Sequence, residues 1–260
     1  MQQIIDQFFD FGIMFDSDNF SYILKGFWFT IKLSIIAGIL SLIWGLVLAT
    51  LRQTPGKLGR IIRWPTIAYI DVFRGVPALM VILIVSTALG ALSQPDLTKP
   101  GVEPGDPGLI PTWFGVPTWL GQPSPFWYGV IALVITYGAY MAEVYRAGIE
   151  AVPNGQMEAA RSLGMSHFQA MRKVIVPQAV RKVIPPLLND YIALMKDTTL
   201  VSVIGLIEVV QAGNDIASET FSSSGLMLGA ILFILVTLPL ARLVDILIGK
   251  QQARFQRGLA

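Results

Sequence analysis

Asn189, Asp190, Lys196 and Asp197 fall inside an otherwise apolar stretch of this chain. A Lys, Arg or Asp at the centre of a bilayer costs about 2.5–3.5 kcal/mol, so Lys196 and Asp197 facing lipid would together cost about 5–7 kcal/mol. They must face protein or water. At helical spacing Asn189, Ala193, Lys196 and Leu200 share one stripe, and Asp190, Leu194, Asp197 and Val201 share the next. Thr198, Thr199 and Ser202 extend the polar surface, while Glu143 and Arg146 lie three apart near the end of another apolar run. Two roles suit these groups. They line a polar path through a membrane, or they lock helices by pairing, for example Lys196 with Glu143 and Asp197 with Arg146. Arg74 reads as a capping or snorkelling residue.

Other chemistry is poorly provided for. With no Cys, a disulfide framework, a thiolate metal site and a thiol nucleophile are excluded, and the single His167 leaves no cluster for a transition metal. Gly56-Lys57 is followed by Leu58, and Leu51 stands where a P-loop needs its first glycine, so no nucleotide site is expected in this chain. A net charge of +2 gives no indication of a nucleic-acid surface. No catalytic residue and no metal ligand is assigned.

The elements that position these residues follow from composition. Of 260 residues, 53% are hydrophobic and 14% charged, with a mean hydropathy of +0.61. A soluble domain would carry roughly a quarter charged residues, so an all-α membrane protein is the expectation. Five runs approach the roughly 17–25 residues a spanning helix needs. They are Gly26 to Leu51, Val76 to Leu92 preceded by Ile61 to Phe73 and a break at Gly75-Val76-Pro77, Phe126 to about Ala147, Pro185 to about Ile207, and Gly225 to about Ile248. Lys and Arg gather after the first run (Arg52, Lys57, Arg60, Arg63), between the third and fourth (Arg161, Arg172, Lys173, Arg181, Lys182) and in the tail (Lys250, Arg254, Arg257). Acidic residues dominate the alternate regions, so the positive-inside rule puts the N-terminus outside and the C-terminus in the cytoplasm. The domain reading is an external segment over residues 1–22, one transmembrane domain over 23–250 with an external loop at 93–125 and a cytoplasmic loop at 150–182, and a tail over 251–260. The external loop, with Trp113 and Trp119, reads as a connector or a docking surface.

The cytoplasmic loop is patterned like folded helices. Asn154 is placed to cap a helix over about Gln156 to Leu163, with Gly164 at its left-handed C′ position. Ser166 and Gln169 form a capping box for a second helix, whose face of Phe168, Met171, Val174 and Ile175 is expected to run until Pro177 interrupts it. Small Ala159 and Ala160 leave a narrow helix. Gly155 and Gly164 are flexible-point candidates.

Glu158-Ala159-Ala160, Gly164 and the Val176-Pro177 step resemble the EAA loop of the membrane subunits of bacterial ABC importers. Phe73-Arg74-Gly75-Val76-Pro77, Ala142 to Ile149 and Lys196 to Ser202 are similar to the polar amino acid branch of that family. The resemblance covers about Gly26 to Ile248, with Val174 and Val176 standing where Ile and Leu are usual. It implies a type I ABC importer permease (MetI-like) fold in a bacterial inner membrane. It also implies two partner ATPase subunits holding ATP and Mg, a second permease subunit, identical or paralogous, and an external amino acid-binding protein. Glu158, Ala159, Ala160 and Gly164 then become the ATPase-coupling residues. Glu143, Arg146, Asn189, Lys196, Asp197, Thr198, Thr199 and Ser202 become candidates for contacting the amino and carboxyl groups of a polar or charged amino acid. The alternative from the residues alone is a self-contained secondary transporter or channel, which accounts for the intramembrane charges but not for a folded internal loop.

Overall fold

A computed structural model describes residues 7–54, 56–93, 98, 109 and 126–257, with the side chains of 57, 58 and 251–257 excepted. The chain is helical: α1 Phe11–Met14, α2 Ser17–Arg52, α3 Gly56–Gly75, α4 Ala78–Ser93, α5 Phe126–Glu150, α6 Asn154–Ser162, α7 His167–Ala170, α8 Val176–Asp197, α9 Val209–Thr220 and α10 Ser224–Arg257. A π turn, Met171–Ile175, joins α7 to α8, and a 3₁₀ segment, Thr198–Ile204, follows α8. Among the described residues, α2, α5 and Ser224–Lys250 of α10 are long and apolar enough to cross a membrane, and α3 with α4 adds a fourth span if taken as one broken element. The break lies where Gly75-Val76-Pro77 puts it, between α3 ending at Gly75 and α4 starting at Ala78. Most of the 93–125 loop, including Trp113 and Trp119, lies outside the described residues.

Several boundaries differ from expectation. The fourth polar–apolar run begins at Val176 rather than Pro185, so Pro177, Pro185 and Pro186 all lie within α8. Pro177 does not end the helix. It is the second residue of α8, where a missing N–H costs least, directly after a π turn that shifts the hydrogen-bond register. The region after Ile207, expected to be a loop, contains the twelve-residue α9.

The chain divides into two packed units. In the unit of residues 7–39, 76–93, 126–136 and 194–236, Met14, Ile23, Val209, Ala212, Ile216 and Leu228 form a core, with Phe27 and Phe233 edge to face at 5.7 Å. Glu208, fully buried, caps α9 by accepting from the N–H groups of Val210 and Gln211 at 2.9 Å each, while the Val209 N–H donates to Thr30 Oγ1 at 3.4 Å. Three N-terminal donors of α9 are thereby satisfied inside the protein. The Gln7 carbonyl accepts from Ser223 N–H and Ser222 Oγ, which anchors the N-terminal segment to the start of α10.

In the unit of residues 40–75, 137–193 and 237–257, α2 and α5 come close at small residues. A Cβ on Gly45 would lie 2.8 Å from Met141 Cβ. Leu48, Ile70 and Ala142 pack beside that approach, and Trp44 Nε1 donates to the Tyr69 hydroxyl at 2.9 Å. At Gly148 a Cβ would lie 2.0 Å from Val183 Cγ1, so glycine is what lets α5 and α8 meet there.

Candidate functional site

The segment between α5 and α8 is a small folded block. Val152, Ile175 and Ala179 are buried together, with Ile149, Met157, Met171 and Val174 packed around them. Lys182 Nζ donates to the Ala151 carbonyl, and Gln178 Nε2 donates to Gln156 Oε1 at 3.3 Å. The first contact ties α8 to the exit of α5, and the second ties its start to α6. Pro153, not Asn154, is the N-cap of α6, and the cap makes no side-chain hydrogen bond. The rigid φ of Pro153 turns the chain one residue earlier than expected, so Asn154 is already helical, as is Gly155. Gly155 therefore sits in the first turn of α6.

At the other end the expectation holds in detail. Gly164 has φ +81°, and its N–H donates to Arg161 O at 3.0 Å while Met165 N–H donates to Ala160 O at 3.2 Å. This pair of bonds is a Schellman ending. Ser166 and Gln169 form the capping box of α7, at 3.2 and 2.9 Å. Gly155, Glu158, Ala159 and Ser162, spaced at i, i+3, i+4 and i+7, make the exposed stripe of α6, while Met157 packs against the block's core and Ala160 is buried. Ala160 is thus buried, and the small residues of the outer face are Gly155, Ala159 and Ser162.

The residues missed by sequence reasoning flank the Gly164 corner. Leu163 is 79% exposed and Phe168 72% exposed. Phe168 does not share the buried face of Met171 and Ile175, because the π turn adds a residue to the repeat and takes it out of register. These are two large apolar side chains left exposed on the same block as the exposed Glu158. Their signal in the sequence is the apolar residue on either side of a capped Gly turn.

The second group of candidates lies on α8 and the 3₁₀ segment. Asn189, Ala193 and Lys196 are all exposed, whereas on the neighbouring stripe Leu194 and Val201 are buried and Asp190 and Asp197 half-buried. The two polar stripes therefore have different surroundings. One Asp190 carboxylate oxygen is buried without a hydrogen-bond partner. Thr198 is buried and its hydroxyl donates to Met195 O at 2.6 Å; Thr199 and Ser202 hydroxyls bond Lys196 O and Thr199 O, both at 2.8 Å. All three hydroxyls are spent on the local backbone, which supports a tightened 3₁₀ turn.

Glu143 and Arg146 are brought together, but in a different scheme from the one expected. Arg52 Nη1 is 2.7 Å from Glu143 Oε2, Arg146 Nε donates to Glu143 Oε1 at 3.0 Å, and Arg146 also engages Glu150. The carboxylate anticipated as a partner of Lys196 is thus occupied by two arginines at the ends of α2 and α5. Arg146 is satisfied by Glu143 and Glu150 rather than Asp197, because i+3 and i+4 neighbours on one helix reach each other without ordering a second chain segment. Arg74 lies with its guanidinium carbon 5.9 Å from the Tyr140 ring centre, a cation–π contact. Among the described residues no cluster of His, Asp and Glu could hold a metal ion.

Comparison with known sequences matches residues 41–255 to the family described as "Binding-protein-dependent transport system inner membrane component". The probable glutamine ABC transporter permease protein GlnM of Bacillus subtilis is 32% identical over 86% of this chain and 90% of its own length. The glutamate/aspartate import permease protein GltK of Escherichia coli is 30% identical over 87% and 92%, and the arginine transport system permease protein ArtQ of B. subtilis is 31% identical over 77% and 78%. Among solved structures, an amino acid ABC transporter crystallised with histidines superposes with a TM-score of 0.70 at 32% identity, covering 87% of this chain and 92% of that one. The MetNI methionine transporter in an inward-facing conformation shares the fold, with a TM-score of 0.64 at 17% identity, over 89% and 99%.

Proposed function

The chain belongs to the family of binding-protein-dependent transport system inner membrane components, and from that premise we propose how it works as the permease subunit of an amino acid ABC importer. It is a transport subunit rather than an enzyme, and ATP is hydrolysed on partner subunits carrying ATP and Mg. The single observation that carries the coupling role is the loop block: a rigid body presenting Glu158, Ala159, Leu163 and Phe168 around the left-handed Gly164 corner. Such a surface suits a groove on one of the two ATPase subunits, with Glu158 free to meet a base. Closing of the ATPase pair on ATP draws the docked blocks together and biases the helices toward an outward-open state; hydrolysis resets them.

The topology that fits is five spans in an inner membrane, with α3–α4 as one broken span, α8 with the 3₁₀ segment as another, the N-terminus outside and the C-terminus in the cytoplasm. The charge distribution supports this, since Lys and Arg favour the same side in all three inner regions. A second permease subunit, identical or paralogous, covers the open Asn189–Ala193–Lys196 stripe, and that stripe lines the path for the substrate's carboxylate. Asp190, with its unpartnered oxygen, suits an ammonium or cationic side chain, and Asp197 lies on the same stripe. An external binding protein delivers the amino acid. Glu143 and Arg146 are assigned to structure instead of the path.

The test is co-purification with the ATPase and reconstitution in liposomes. Stoichiometric recovery, solute-stimulated ATP hydrolysis and uptake are expected, and Glu158→Lys is expected to lose uptake and ATPase recovery with the permease still in the membrane. Uptake by this chain alone without ATP, or normal uptake by Glu158→Lys, would sink the coupling assignment.

A further inference from the structure

By its sequence Arg52 is one of several positive charges on the inner side. In the structure it is the last residue of α2 and reaches Glu143 on α5, with both side chains about one-fifth exposed, at 22% and 21%. We infer that Arg52 is a positioning residue for coupling: its ion pair with Glu143 ties the inner end of α2 to the loop block, so that the block and that end of α2 move together. This rests on the loop block being the ATPase contact.

Two features of the geometry carry the inference. The first is the absence of slack between Glu143 and the block. Glu143 Oε1 accepts from Arg146, Arg146 also binds Glu150, and Glu150 is the last residue of α5. Two residues later Val152 enters the buried cluster with Ile175 and Ala179, while the Ala151 carbonyl is held by Lys182. A displacement of the block therefore reaches the Glu143 carboxylate through short, directional contacts. The second is the nature of the other links between α2 and α5. Gly45 against Met141, Trp44 against Gly138 and Leu48 against Ala142 hold the two helices close, but these contacts are apolar and carry no charge or hydrogen bond. The Tyr145 hydroxyl reaches Leu42 O only at 3.4 Å. A charge-assisted bond at 2.7 Å is both stronger and fixed in direction, so it sets the register of one helix against the other. An arginine placed only to complement the α2 C-terminus would need no contact with Glu143.

The experiment uses the assembled complex in liposomes, measuring uptake and ATP hydrolysis together. Wild-type complex must first show solute-stimulated hydrolysis and uptake; failure there removes the loop reading and is seen before any variant is made. Arg52→Met is expected to assemble in normal yield and to hydrolyse ATP at close to the wild-type rate. Its uptake per ATP should fall about five- to tenfold, the scale of one partly buried charged contact. Arg52→Lys should recover a large part of the ratio. If Arg52 acts through Glu143, adding Arg52→Met to Glu143→Gln lowers the ratio no further than Glu143→Gln alone. Normal coupling in Arg52→Met, or a double variant whose loss is the product of the two single losses, overturns the inference. Should Arg52→Met not assemble, Arg52→Gln, which is shorter and uncharged but keeps a hydrogen-bond donor, is read against the same two outcomes.

Discussion

Gly164 and Lys196 are the two single positions at which the local geometry makes the sharpest demands. At Gly164 a methyl group in place of the hydrogen would have no atom within 4 Å, so space is not the constraint; the φ of +81° is. An L-residue there costs about 1–2 kcal/mol, except that Asn tolerates the left-handed region. Gly164→Asn is therefore expected to keep most uptake, whereas Gly164→Val reopens the corner and lowers uptake several-fold while basal ATPase activity of the complex persists. Equal activity of the two variants would show that the corner's backbone does not matter. Lys196 is exposed on α8 at the edge of the 3₁₀ segment. Lys196→Met is expected to leave complex yield unchanged and reduce uptake by at least about tenfold, the scale of losing one charged contact to the substrate; loss of assembly with normal uptake by the surviving complex would assign the side chain to structure instead. The two residues differ in how far they are legible. Gly164 can be read from its neighbours, since a capped helix on each side demands a left-handed residue between them. The surroundings of Lys196 cannot, because adjacent stripes of one helix look alike until something packs on one of them.

Among the elements, α5 and α8 depend on one close approach. A methyl group on Gly148 would meet Val183 Cγ1 at 2.0 Å. Gly148→Ala should lower the complex's thermal midpoint through overpacking worth about 1–3 kcal/mol, and Val183→Ala in the same chain should restore most of it, since the clashing atom is the one removed. Additive destabilisation of the pair, measured by thermal unfolding in detergent, would contradict that packing. Element boundaries are legible where a backbone rule acts locally. The Gly75–Pro77 break and the Ser166–Gln169 capping box are of that kind. The α7–π–α8 continuity is not, because Pro177 forbids an ordinary helical bond and nothing in its immediate neighbours announces a π turn that makes the bond unnecessary. The same π turn moves Phe168 off its expected face. The helix α9 is hidden for a different reason: its cap, Glu208, is a less usual N-cap residue than Ser, Thr, Asp or Asn, and only its burial makes the role evident.

For the whole molecule, the proposed orientation makes a direct prediction that the natural absence of cysteine makes easy to test. A cysteine at exposed Phe11 should react with a membrane-impermeant maleimide in intact cells, and one at exposed Phe168 only after the inner membrane is opened. Labelling of both from outside would overturn the topology. Composition and the placement of Lys and Arg already determine much by themselves: a membrane chain, its apolar runs, the broken second run, and a folded loop with its Gly corner. These are properties of short segments in contact with lipid or water, where transfer energy and local backbone rules act residue by residue. Tertiary structure decides what those rules leave degenerate. It gives Glu143 to Arg52 and Arg146, turns Ala160 inward and Phe168 outward, leaves one α8 stripe open, and sets Gly148 against Val183. Each of those outcomes depends on which neighbour arrives from a distant part of the chain, and a charge or a small residue accepts many partners until packing leaves it one.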